Sequence, residues 1–197
     1  MRKLRHELKY YISYTDYLIL RKRLALLLKA DRHHVSEEGY RITSLYFDNA
    51  EGTDIYDKVN GIKNRKKFRI RIYNENTGTI NLEKKSRFGD IVEKTTASIN
   101  MDIYHQLLSG NFSILGEMED PSAKDFYLLS RSQLMRPAVI VDYIREAYVD
   151  PFHDIRITFD KQLNSVWNTH DLFDEHAVGR EVLQDGVIIM EVKYRHF

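Results

Sequence analysis

The chain contains no cysteine. That excludes a disulfide framework, a thiolate zinc site and a thiol nucleophile. Three prolines and nine glycines in 197 residues leave little room for a linker, and no low-complexity tract or internal repeat occurs. No apolar run approaches the roughly 20 residues of a membrane span. Residues 1–8 are polar and mixed in charge, without the apolar stretch of a secretory signal, so the expected location is cytoplasmic. A surplus of one charge is also absent: 30 Lys and Arg meet 29 Asp and Glu, for a formal net charge of +1. Proteins held to nucleic acid by bulk charge are clearly basic, so no nucleic-acid partner is expected. Any anion site must come from local placement of charge. No G-x-x-x-x-G-K-[ST] motif occurs, which excludes a P-loop.

What the chain does have is length enough for one domain and a hydrophobic share of 43%. Residues 5–12 alternate as a strand. Ser13 and Asp16 form a capping-box pattern, opening a helix to about Lys29 with Tyr17, Leu18, Leu20, Leu24, Leu27 and Leu28 at helical spacing. Further strands are expected at 40–47, 66–73, 79–86, from Asp90 to Thr96, and at 137–149, 154–161 and 187–195. The second and third of these make a hairpin around Asn74–Gly78. A short helix fits 101–109, and Asp120-Pro121 starts another, running to about Met135. Many strands, few helices and no regular βαβ alternation point to an α+β chain built on an antiparallel sheet or barrel.

Side chains alternate faces along a strand. Arg5, Glu7 and Lys9 then share a face. So do Lys67, Arg69, Arg71 and Tyr73; Glu83 and Lys85; Tyr143 and Arg145; Arg156, Thr158 and Asp160; and Glu191 and Lys193. The opposite faces carry Phe68, Ile70, Ile72, Leu82, Ile157 and Val192. An ordinary sheet with one wet face explains any single strand. The whole set is better explained by a closed barrel with the charged face turned inward. Unpaired buried cations are too costly to keep, so an anion must compensate them, and Arg forks match phosphate oxygens. The fewer Glu among the cations suggest a divalent metal bridging to phosphate.

These segments resemble the vacuolar transporter chaperone (VTC) domain, the polyphosphate polymerase branch of the triphosphate tunnel metalloenzymes. The matching stretches are Arg5-His6-Glu7-Leu8-Lys9-Tyr10, Ser44-Leu45-Tyr46-Phe47-Asp48, the run 65–73, Leu82-Glu83-Lys84-Lys85, Tyr143-Ile144-Arg145-Glu146-Ala147, the run 154–160, and Glu191-Val192-Lys193-Tyr194. They occur in family order over nearly the whole chain. The resemblance implies a closed antiparallel tunnel of about eight strands, with polyphosphate growing from the terminal phosphate of ATP in the presence of Mn²⁺ or Mg²⁺. It implies phosphate contacts from Lys9, Arg69, Arg71, Lys85, Lys94, Arg145 and Arg156, and a metal on Glu191. Glu7 and Glu83 would be further lumen carboxylates, with Arg5, Lys67, Tyr143 and Lys193 also lining the lumen. In the family the domain continues into a helix that adds a basic residue. The chain ends at Phe197, so the expectation is a single domain, 1–197, without that helix. A membrane-protein partner for the product is compatible with this reading and is encoded in no motif.

Three other functions fit parts of the pattern. A polyphosphate sensor or scaffold would keep the lumen without turnover. Triphosphate hydrolysis would use the same cations, but Arg5 stands where the tunnel hydrolases usually carry another Glu. A single-stranded nucleic-acid binder could use the run from Lys58 to Arg71, against the near-neutral total charge. His33-His34 has no partner at metal-ligand spacing and reads as solvated. The stripe around Leu24, Leu27 and Leu28 reads as core.

Overall fold

The structure, a computed structural model, describes residues 5–31, 33, 35–150 and 152–195. It opens with β1 (Arg5–Ser13), α1 (Tyr14–Leu27), β2 (Lys29–Ala30), β3 (Tyr40–Asp48) and α2 (Thr53–Val59). The central part holds β4 (Asn64–Tyr73), β5 (Ile80–Phe88), β6 (Ile91–Ile99), α3 (Met101–Leu108), α4 (Ile114–Glu117) and α5 (Pro121–Gln133). The last part is β7 (Arg136–Asp150), β8 (Ile155–Val166), β9 (Gly179–Glu181) and β10 (Val187–Tyr194). All pairings among these strands are antiparallel. In the order β7-β3-β4-β5-β6-β1-β10-β8 the sheet returns to β7 and closes into a ring of eight strands, with β2 and β9 added at its ends. No helix of the described residues is long and apolar enough to cross a membrane.

Many outward residues of the ring are apolar, and helices cover a large part of them. Phe68, Ile70, Ile72, Leu82, Ala97 and Ile99 join Tyr104, Leu107, Leu115 and Phe126 from α3, α4 and α5 in one cluster. The Phe68 and Phe126 rings stack at 4.4 Å. Asp120 caps α5 by accepting from the Ser122 and Ala123 backbone N–H groups at 2.7 and 3.1 Å, with Pro121 in the first turn. Sequestering this face against helices leaves the charged face nowhere to go but inward.

The capping box at Ser13 and Asp16 is present and starts α1. The helix lays Tyr17, Leu20 and Leu24, with Leu28 just past its end, over Phe159 and Ile188. Leu27, expected in the core, is instead 79% exposed, and Leu18 also faces outward. Positions 17, 20 and 24 lie within one stripe of a 3.6-residue helix, whereas 18 points away from it; Leu27 points along the stripe but is the last residue of the helix. The short elements β2, α2, α4 and β9 were not expected. Helix α2 owes its start to Asp48, whose carboxylate accepts from the backbone N–H groups of Asp54 and Ile55 at 3.0 and 3.3 Å.

Candidate functional site

The strand alternation carries through to the interior. Opposed pairs on the inner face are Arg69 and Glu83, Lys85 and Lys94, Lys67 and Lys85, Glu7 and Lys193, Lys9 and Glu191, Lys193 and Arg156, and Arg145 and Asp160. Three knots of charge result.

Glu83, 1% exposed, is the centre of the first. Arg69 donates to it from Nε at 2.8 Å and approaches from Nη2 at 2.6 Å; Lys94 lies at 2.5 Å and Arg71 at 3.9 Å. Burial alone would push this carboxyl up. Arg69, Arg71 and Lys94 more than offset that and bring it down to about 2. Arg71 is held further by Ser44 Oγ at 2.9 Å and the Tyr143 hydroxyl at 3.1 Å.

The second knot is Glu191, with Lys193 at 2.7 Å, Arg145 at 3.7 Å and Lys9 at 3.8 Å. Burial opposes its charge, but Lys193, Lys9 and Arg145 hold it well below the ordinary carboxylate range. Burial pushes the Lys193 amine down to about 7, with Glu191 pulling the other way. The Arg145 fork donates to Asp160 from Nε and Nη2, both at 2.6 Å, and its guanidinium lies 5.2 Å from the Tyr143 ring centroid. Gly39, at φ +109°, lets β3 start against this point: a Cβ there would sit 2.1 Å from the Arg145 carbonyl oxygen.

The third knot is Glu7, bonded to Lys85 and 3.1 Å from Arg5. Lys67 stands apart from these knots. Burial lowers its amine, and Asp54 partly offsets the effect. Arg156 reaches Asp31 at 2.5 Å and the Tyr40 hydroxyl at 2.8 Å.

By register, Lys9, Arg69, Arg71, Lys85, Lys94, Arg145 and Arg156 thus share one sheet face with Glu7, Glu83 and Glu191. Sequence reading left three neighbours without a role. Tyr46 accepts from Arg69 at 2.8 Å. Burial raises its phenol, but the Arg69 and Arg71 guanidiniums win and bring it down to about 7. Asp160 and Ser44 orient Arg145 and Arg71. The signal was available: Asp160 falls on the charged parity of its strand, and Ser44 and Tyr46 fall on the parity opposite Leu45 and Phe47. The run from Lys58 to Arg71 does not form one basic surface: Lys66 faces out toward Asp125 on α5, while Arg69 and Arg71 face in.

Among the described residues, no three His, Asp or Glu side chains form a metal cage. Glu191 and Glu7 are diagonal neighbours across the β1–β10 pair and raise one another's cost of ionisation. Two hard oxygen donors fit a small divalent cation that takes its remaining ligands from phosphate and water. His33 is not part of such a set, and His34 lies outside the described residues.

The sequence signature of the VTC domain matches residues 4–197. The chain belongs to the VTC domain family. No curated protein sequence matches it significantly. Solved structures similar to this VTC domain share its fold at low identity. A candidate adenylate cyclase from Bacillus halodurans matches with a TM-score of 0.56 and 11% identity, over 98% of this chain and 81% of that one. The candidate adenylyl cyclase HpAC1 from Hippeastrum, which has a dominant triphosphatase activity, matches at 0.52 and 13%, over 100% and 80%. A chain of the Schizosaccharomyces pombe Mediator head module matches at 0.53 and 7%, over 98% and 83%. The fold thus serves unlike purposes, and function must be argued from the lumen.

Proposed function

We propose that this VTC domain is a polyphosphate polymerase that moves the terminal phosphate of ATP onto a polyphosphate chain inside the ring. The observation that carries the reading is the convergence of Arg69, Arg71, Lys85, Lys94, Arg145 and Lys193 on one enclosed space where cations outnumber carboxylates. With Lys9 and Arg156 at its margins, this is a cradle for a linear polyanion.

In the unliganded lumen the carboxylates act as counterions, since a buried charge without a partner is expensive. A phosphate chain takes over that role. Lys9, Arg69, Arg71, Lys85, Lys94, Arg145 and Arg156 bind its oxygens and the ATP phosphates, and hold the two in line. The terminal oxygen of the chain attacks the γ-phosphorus, forming a new P–O–P link. The bond from that phosphorus to the β–γ bridging oxygen breaks, and ADP leaves with the electron pair. The transition state is loose and spreads charge over the phosphoryl oxygens, so positioning and fixed cations supply most of what is needed. A divalent cation, Mn²⁺ or Mg²⁺, held by Glu191 with Glu7 beside it, would add charge neutralisation at those oxygens.

Water in place of the chain end would give hydrolysis, the kind of activity of the Hippeastrum protein with the same fold. Incubation with ATP and Mn²⁺, followed by separation of phosphate polymers on a gel, separates the two. Polymer ladders support the polymerase; free phosphate alone points to hydrolysis. Binding of polyphosphate with neither product leaves a sensor.

A further inference from the structure

One mouth of the lumen is built from chemistry that a phosphate chain does not need. Tyr40 at the start of β3, Tyr73 at the end of β4 and His33 in the loop before β3 bring three rings together. Their centroids lie 6.1 Å apart for Tyr40 and Tyr73, 6.2 Å for His33 and Tyr40, and 6.4 Å for His33 and Tyr73. The His33 and Tyr73 planes are inclined by only 18°. That spacing is at the wide end for direct ring contact. Tyr40 is buried beneath the group, whereas Tyr73 is half-buried and His33 exposed. Below Tyr40, the apolar wall continues through Ile42 and Ala147.

Next to the rings, β8 presents two polar groups without partners. Arg156 Nε and Thr158 Oγ1 are buried and make no hydrogen bond among the described residues. Thr158 is 0% exposed and lies directly across from Glu191 on β10. Buried polar groups are nearly always satisfied, so two orphans side by side on a lumen face mark atoms that a ligand supplies. Arg156 also ties the two features together, since its Nη2 donates to the Tyr40 hydroxyl at 2.8 Å.

We infer that this mouth seats the nucleoside of the donor nucleotide. The base stacks against Tyr73 and His33. The phosphates descend past Arg156 and Thr158, which donate to their oxygens, toward Glu191. An oligophosphate alone offers only charged oxygens and gains nothing from the rings; a nucleoside triphosphate offers a flat base as well. Ring faces, not ring edges, meet the base, so the seat recognises a base by stacking and tolerates different bases. The inference rests on the lumen being a phosphate site, and the test separates the two ideas.

The probe is 2-aminopurine riboside triphosphate, whose fluorescence falls on stacking, titrated beside inorganic tripolyphosphate. Wild type is expected to quench the probe and to bind it about tenfold more tightly than tripolyphosphate, within the range of base–aromatic stacking. Tyr73→Ala should lose both the quenching and the tenfold advantage, with tripolyphosphate affinity unchanged. His33→Ala, at an exposed position, should move the same way and covers the case in which Tyr73→Ala folds poorly. Thr158→Val should weaken both ligands several-fold with no fall in the melting temperature of the free protein, because the hydroxyl has no partner to lose. Full quenching in both ring variants, or a probe bound no tighter than tripolyphosphate, overturns the nucleoside seat while the phosphate lumen stands. Failure of wild type to bind tripolyphosphate overturns both.

Discussion

Arg145 and Asp160 face each other across β7 and β8 and join by two contacts of 2.6 Å, Nε to Oδ1 and Nη2 to Oδ2. The pair is almost wholly buried. Its fork is occupied, so Asp160 fixes the direction in which Arg145 presents its remaining N–H groups. Asp160→Ala leaves a buried guanidinium with Glu191 at 3.7 Å and the Tyr143 ring beside it. The expected cost is about 3–5 kcal/mol of unfolding free energy, the scale for removing one partner of a buried pair. Urea unfolding measures it. Added polyphosphate should restore part of the loss, which an ordinary core defect would not allow.

Arg69 and Arg71 both serve Glu83. Arg69→Ala and Arg71→Ala should each weaken polyphosphate binding by about 1.5–3 kcal/mol, the scale of a hydrogen bond to a charged group. In the free protein Glu83 already pairs with both residues. The single variants therefore lose stability as well. The double variant Arg69→Gln with Glu83→Gln also strips Lys94 and Arg71 of their shared carboxylate, so it should be no more stable than Arg69→Gln alone and stay weak for polyphosphate. Calorimetric titration and thermal melts read the two effects separately.

Polyphosphate should raise the melting temperature far more than orthophosphate at matched phosphate concentration. Each added phosphate meets another wall cation, and a ligand that binds only the folded state stabilises by mass action. The shift should shrink as salt rises, since the contacts are ionic. Equal shifts from the two ligands would argue against a lumen that binds a chain.

Glu191→Gln should abolish polymer formation from ATP in saturating Mn²⁺ and leave polyphosphate binding intact or tighter, because a negative charge has left an anion site. An amide keeps the shape but is a poorer ligand for a hard divalent cation. A variant that makes polymer at the wild-type rate removes Glu191 from the chemistry.

Asp54, in the first turn of α2, has its carboxyl raised to about 7 by burial, with Asp48 adding to the effect. The folded pKa lies above the unfolded one, so the fold binds this proton more tightly. Its contribution to stability is full below about pH 4 and is lost as pH rises toward about 7. Asp54→Asn should flatten that segment of the stability profile and leave the variant less sensitive to pH between 4 and 7. Denaturant melts across the range give the comparison.

The lumen was legible because a strand repeats every two residues: once Phe68, Ile70 and Ile72 are assigned to the helix-covered face, Arg69 and Arg71 have only the interior. The same rule placed Glu83 with Lys85, and Arg156 with Asp160. Pairing across strands was not legible, since it depends on register. Nothing in the order of residues says that Glu83 collects Arg69, Lys94 and Arg71, or that Arg145 spends its fork on Asp160. The exposure of Leu27 was missed for a related reason, as helical spacing fixes the direction of a side chain but not that it stands at the helix's last residue. Helix α2 was missed because its start depends on the Asp48 carboxylate turning back onto the chain, a contact with no periodic signature.

The inward placement of the cations also decides which polyanions can use them. The whole chain is only +1, and the lumen holds more cations than carboxylates, so the remainder of the chain is net negative. A polyanion confined to the exterior meets net negative charge. A thin, flexible chain of phosphates can slip through a mouth and meet the positive wall inside. Under the proposed function, this charge pattern would favour a polyanion that can enter the ring over one that meets only its exterior.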